Sequence, residues 1–146
     1  MGLTARQQDD LRTVAALMIP ASGEFKAPGA DDPAIQADIL ATLGRDAASV
    51  CEALDKLAAA AGTPLSALGV ARGTVVAQAL RDSGDAAMAT LIRVILQCYY
   101  RDDRVVRSLG LEPRAPFPRG HELEQGDWSL LDPVRARGHT WRRAPG

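Results

Sequence analysis

The 146-residue chain is poor in cysteine and aromatic residues and carries almost no net charge, and each shortage removes a class of function. Two cysteines, Cys51 and Cys98, are too few for a disulfide framework and lack metal-type spacing. Both fall inside apolar helical patterns and read as small buried residues, with a disulfide between two helices or a redox role as the alternatives. Aromatics are 4% of the chain, and Ala, Leu and Val supply most of its 47% apolar content, a composition that suits closely packed helices. The formal charge of −1 removes the electrostatic argument for nucleic acid or an anionic membrane, because both require a basic excess. Nine arginines follow Cys98, but Asp102, Asp103, Glu112, Glu122, Glu124, Asp127 and Asp132 interleave with them, which makes a mixed polar surface. The apolar run at residues 14–19 is too short for a signal sequence or a membrane span, and acidic Asp9 and Asp10 stand where a signal would be basic. Arg6 occupies the position where N-myristoylation needs Ser or Thr. The chain is therefore expected to be cytoplasmic and not inserted in a membrane.

What remains is helical periodicity. Thr4 and Gln7 have capping-box spacing, and Leu11, Val14, Ala15, Leu17 and Met18 recur at helical steps until Pro20, which predicts a first helix over 4–19. Residues 21–31 read as a loop. Asp32 is placed to cap a second helix with Pro33 at its first position, and a stripe of Ile35, Ile39, Leu43, Val50, Leu54 and Leu57 carries that helix to Ala61. Gly44 lies within it and is read as a point of close packing. Thr63-Pro64 opens one or two further turns. Residues 70–81 give a weaker helical pattern, in which Val75, Val76, Ala79 and Leu80 compete with Gly73 and a β-branched run. Residues 86–100 are apolar around nearly the whole circumference and belong at the centre of a bundle or against a partner. Asp102-Asp103 can cap a last short helix that ends at Gly110. No internal repeat or persistent strand alternation occurs, so the fold class is all-α: a helical bundle over 1–110 with an extended arm over 111–146.

The arm is the unusual region. The last 37 residues hold five of the nine prolines, three of the six aromatics and both histidines, without helix or strand periodicity. Connectors longer than roughly 12–15 residues are usually functional or disordered, and Phe117, Trp128, Leu130, Leu131 and Trp141 are not the residues that disorder selects. Fully extended, the arm could reach ~120 Å. Trp128 and Trp141 pack either back on the bundle or into a partner pocket, where Trp and Arg commonly dominate the binding energy.

The catalytic inventory is thin. His121 and His139 lie 18 residues apart within the arm, outside any HxxxH or HExxH spacing, and no GxSxG, GxGxxG or P-loop occurs. The pairs Asp9-Asp10, Asp31-Asp32 and Asp102-Asp103 point adjacent carboxylates about 100° apart on a helix, and capping explains two of them. Tyr99-Tyr100 reads as rings packed at a helix end with hydroxyls near water, or as part of a partner interface. No residue is assigned to catalysis, to a cofactor or to a metal.

One resemblance adds to these readings. Leu17-Met18-Ile19-Pro20, the loop from Gly23 to Gly29, Asp32-Pro33-Ala34-Ile35, and Cys98-Tyr99-Tyr100-Arg101-Asp102-Asp103-Arg104-Val105 followed by Leu109-Gly110 resemble the gluconate 2-dehydrogenase subunit 3 family. In that family an Ile-Pro follows the first helix, and a tyrosine, acidic residue, valine and Leu-Gly run closes the helical core. The resemblance implies a noncatalytic small subunit of an FAD-dependent dehydrogenase of the glucose-methanol-choline type, needed for the maturation, stability or export of a large subunit that holds the FAD. Many members carry a twin-arginine signal, which this sequence lacks, so export is expected only by association with a signal-bearing partner. The expected assembly is a hetero-oligomer contacted through Tyr99, Tyr100, Phe117, Trp128, Leu130, Leu131, Arg135 and Trp141. Two other classes remain open: a free-standing helical adaptor with a non-flavin partner, and a small enzyme using Tyr100, His121 or His139 with an acid.

Overall fold

The computed structural model describes residues 2–115, 117–120 and 125–138, apart from the Leu80 side chain. It is all-α. The chain divides into two units, Met1–Pro113 and Arg114–Gly146.

Helix α1, Ala5–Met18, begins with the predicted capping box: the Thr4 hydroxyl accepts from the Gln7 amide at 3.3 Å, and the Gln7 side chain accepts from the Thr4 amide at 3.0 Å. Two orphan amides at the helix start are thereby satisfied. Helix α2, Pro33–Thr42, is capped by Asp32, whose carboxylate accepts from Ala34 at 2.9 Å. The helix expected to continue to Ala61 instead breaks. Gly44 adopts φ +45°, a 3-10 turn spans Gly44–Asp46, and α3 runs separately over Ala47–Ala61. A Cβ on Gly44 would meet nothing within 4 Å, so this glycine supplies a left-handed backbone rather than close packing. The seven-residue step from Leu43 to Val50 fits a continuous helix and a broken one equally, and both side chains are buried.

Helix α3 stops where Gly62 turns left-handed at φ +70°. The 3-10 turn Leu65–Ala67 follows, with Leu65 fully buried. Helix α4, Val70–Asp82, confirms the weaker pattern but starts without a side-chain cap. Helix α5, Ala86–Tyr99, is capped by Asp85, which accepts from Met88 at 3.0 Å, and short α6 covers Asp103–Ser108. The core joins Leu11 and Val14 of α1, Ile35 and Ile39 of α2, Val50, Leu54 and Leu57 of α3, Leu91 and Ile95 of α5, and Val105 of α6. Each side chain of this type contributes about 1.5–3 kcal/mol on full burial. Centrality is one-sided for α5: Leu91 and Ile95 are enclosed, while Ile92 and Leu96 are half-buried.

Among the described residues one acidic side chain, Asp10, lies in this interior. The Asp10 carboxylate is fully buried, accepts from Arg6 Nη1 at 2.7 Å, and accepts the Ser66 amide at 3.2 Å. It fastens the 3-10 turn to α1, and a buried carboxylate so partnered avoids the several-kcal/mol penalty of an unpaired one. Among the described residues no helix is long and apolar enough to cross a membrane.

In the second unit the arm is not wholly extended. A 3-10 turn over Trp128–Leu131 leads directly into α7, Asp132–Ala136. The stretch is too short for periodicity to register, although Asp127 as cap and Pro133 near the helix start are both helix-opening signals.

Candidate protein-binding site

The run Cys98 to Val105 forms the corner between α5 and α6, and nearly every residue in it has a structural partner. The Tyr99 ring is buried at 5% exposure, and its hydroxyl donates to the Pro28 carbonyl at 3.1 Å; burial pushes this phenol above its usual range. Tyr100 stands outside at 55% exposure, edge-on to the Tyr99 ring with centroids 5.2 Å apart and planes at 83°. Arg101 Nε donates to Asp38 of α2 at 3.1 Å, and this carboxylate holds the guanidinium above its ordinary pKa. Cys98 is buried beside the Thr42 hydroxyl at 3.5 Å, and burial raises its thiol.

Arg104 closes the corner. Its guanidinium grips Asp32 with a two-pronged contact at 3.1 and 2.8 Å, and reaches Asp102 at 3.0 and 2.8 Å. Asp32 caps α2, and Asp102 caps α6 by accepting the Arg104 amide at 2.8 Å. One cation therefore ties two helix starts together. The hydrogen bonds from Arg104 hold both carboxyls below their ordinary range, against an opposing push from desolvation, and raise the guanidinium in turn. Bidentate arginine–carboxylate geometry has this effect because it favours the charged form of both partners.

The loop that Tyr99 holds is itself tightly built. Ser22 and Ala27 pair across an isolated β-bridge, Ala30 donates to the Ile19 carbonyl at 2.9 Å, and Gln36 reaches the Ala30 carbonyl at 2.8 Å. At Gly29 a Cβ would lie 2.9 Å from the Ala21 backbone nitrogen, so only glycine fits. The Ile19-Pro20 to Asp32-Pro33 stretch and the Tyr99 to Val105 stretch, about seventy residues apart in sequence, thus meet at one corner.

The expected contact residues divide between the two units. In the first, Tyr100 offers an exposed ring, whereas Tyr99 is enclosed and serves any contact only by positioning the loop and Tyr100. In the second, Asp127 accepts from the Ser129 amide at 3.0 Å and from its hydroxyl at 2.6 Å, and these bonds lower its pKa. The turn so capped carries Trp128 at 60% exposure, Leu130 at 74% and Leu131 at 40%, and α7 after it carries Val134 at 56%. Steps of three and four residues place these on neighbouring turns. Arg135 pairs with Asp132 at 3.3 Å, and Phe117 is exposed. Trp141, His121 and His139 lie outside the described residues. Val134 was not among the expected contacts; its place three residues after Leu131 becomes informative only once the segment is helical.

Cys51 and Cys98 are both free, Cys98 buried and Cys51 half-buried. Among the described residues no group of three or more His, Cys, Asp and Glu side chains could hold a metal ion. Comparison with known protein families, characterised proteins and solved structures finds no match to this chain.

Proposed function

We propose that this chain is a noncatalytic small subunit that binds and stabilises, or helps to mature, the large subunit of an FAD-dependent sugar or alcohol dehydrogenase. The observation that carries the reading is the second unit: it presents Trp128, Leu130, Leu131 and Val134 on a capped helical segment, while none of its described residues is buried. Ordering backbone costs about 1–2 kcal/mol per residue, and a segment without a core recovers that cost only on a surface that covers its apolar side chains. The flavoprotein identity of the partner rests on the resemblance of the Ile19-Pro20 and Tyr99-to-Gly110 segments to gluconate 2-dehydrogenase subunit 3 proteins, and the meeting of those segments at the Arg104 corner gives them one structural purpose.

The mechanism is binding linkage. A subunit that binds only the folded large chain stabilises it by about 2.7 kcal/mol at a hundredfold excess over Kd. The FAD sits in the partner, Tyr100, Phe117, Trp128, Leu130, Leu131, Arg135 and Trp141 supply contacts, and assembly takes place in the cytoplasm, with any export directed by the partner. Co-expression of the flavoprotein with the full chain, and with a chain ended at Gly110, tests this reading. The full chain is expected to raise the yield and flavin content of the partner, and the shortened chain to do so much less. A colourless complex with an unrelated protein would instead identify a helical adaptor.

A further inference from the structure

We propose that the cleft between α1, α4 and α5 binds an amphipathic aliphatic carboxylate, with its chain among Leu17, Met18, Ile92 and Leu96 and its headgroup on Gln78 and Arg81. The cleft has a volume of about 300 Å3, at the lower end for small-molecule sites. A volume at that end suits one short aliphatic chain.

The lining suits that occupant. Both internal methionines of the chain, Met18 and Met88, converge on this one cleft, and unbranched thioether side chains adapt to flexible apolar ligands. The outer wall is α4. Among its described side chains none is buried, Val70 and Val75 are exposed, and at Gly73 a Cβ would stand 3.1 Å from Leu17 Cδ1 of α1. Its flanks are tied down, by the Ser66 amide on Asp10 before it and by the Asp85 cap, paired with Lys56, after it.

The mouth already displays the headgroup chemistry. The exposed Asp82 carboxylate accepts from Gln78 Nε2 at 3.1 and 3.0 Å, and from Arg81 Nε and Nη2 at 3.3 Å each. Surface pairs of this kind contribute 0–1 kcal/mol, so an incoming carboxylate competes readily for the same donors. The Asp82 charge opposes its approach, and that gives the proposal a distinctive signature.

The test uses the full chain labelled with 13C at its methionine methyls and titrated with sodium decanoate, decanol or decylammonium. Decanoate is expected to shift Met18 and Met88 saturably, and more tightly than decylammonium. Asp82→Asn should tighten decanoate binding about threefold or more without changing decanol, and Arg81→Gln should weaken it about tenfold, the scale of one charge-assisted hydrogen bond. Ile92→Trp should fill the cleft and abolish the shifts, with Met88 dispersion reporting that the bundle remains folded. Equal binding of decanoate and decylammonium, or indifference to both Asp82→Asn and Arg81→Gln, overturns the carboxylate site. Methyls that ignore decanoate and decanol but respond to a flavoprotein partner make the cleft a protein-docking groove and likewise overturn it.

Discussion

Residues 2–113 and residues 114–138 obey opposite rules of burial. In the first unit the largest apolar side chains, Leu11, Ile39, Leu54 and Ile95 among them, are fully enclosed. In the second, the apolar side chains described are exposed, Trp128 included. Local hydrogen bonding is good in both, since Thr4, Asp32, Asp85, Asp102 and Asp127 all cap helical turns. Capping without burial shapes a surface but does not stabilise a fold, because a cap contributes about 1 kcal/mol and the ordering cost is larger. The bundle encloses its apolar side chains, and the capped segment leaves its described ones open, as the proposed docking role requires.

The sharpest contrast comes from one substitution in each unit. Leu54→Ala should destabilise the free chain by about 2–5 kcal/mol in chemical denaturation, as expected for a cavity in a packed core. Trp128→Ala should change the stability of the free chain by less than about 0.5 kcal/mol and weaken the proposed complex by about 2 kcal/mol or more, measured by titration calorimetry with the proposed flavoprotein partner. A large loss of stability from Trp128→Ala would erase the distinction between the units.

Smaller effects probe how the bundle is fastened. Gly62→Ala, at φ +70°, should cost about 1 kcal/mol, because alanine resists that backbone. Arg104→Ala should cost a similar amount, about 1 kcal/mol, since the guanidinium is partly exposed and screened by solvent. The smallest effect is a dependence on acidity. Asp32 and Asp102 have folded-state pKa values below their ordinary 3.8, so the stability they add is present above that value and lost as the pH falls through the depressed folded values. Wild type should lose stability below about pH 4 more steeply than Arg104→Ala, by denaturant midpoints taken across acid pH.

Much of the bundle was legible because its signals are local. The Thr4–Gln7 box, Asp32-Pro33 and the apolar circumference of residues 86–100 each act within a few residues, and the helices begin and lie where those signals put them. Gly44 was legible as an oddity but misread, because a stripe continuing at a step of seven conceals a left-handed break. The Arg104–Asp32 clasp was not legible at all: its partners are 72 positions apart, and nothing in either segment marks the other. For the candidate site, residue types identified Tyr100, Trp128 and Leu130 as contact candidates, but enclosure of Tyr99 depends on the loop that its hydroxyl holds. The turn and helix at residues 128–136 escaped notice because five residues of α-helix are too few for a period, although the Asp127 cap and Pro133 stood in the sequence.

Hydrogen exchange at the backbone amides of residues 127–136, in the free chain and in the proposed complex with a flavoprotein, decides whether this capped segment is a docking element. Rapid exchange is expected in the free chain, strong protection on complex formation, and little change in the amides of α3 and α5. Equal exchange of residues 127–136 with and without the flavoprotein would contradict that role.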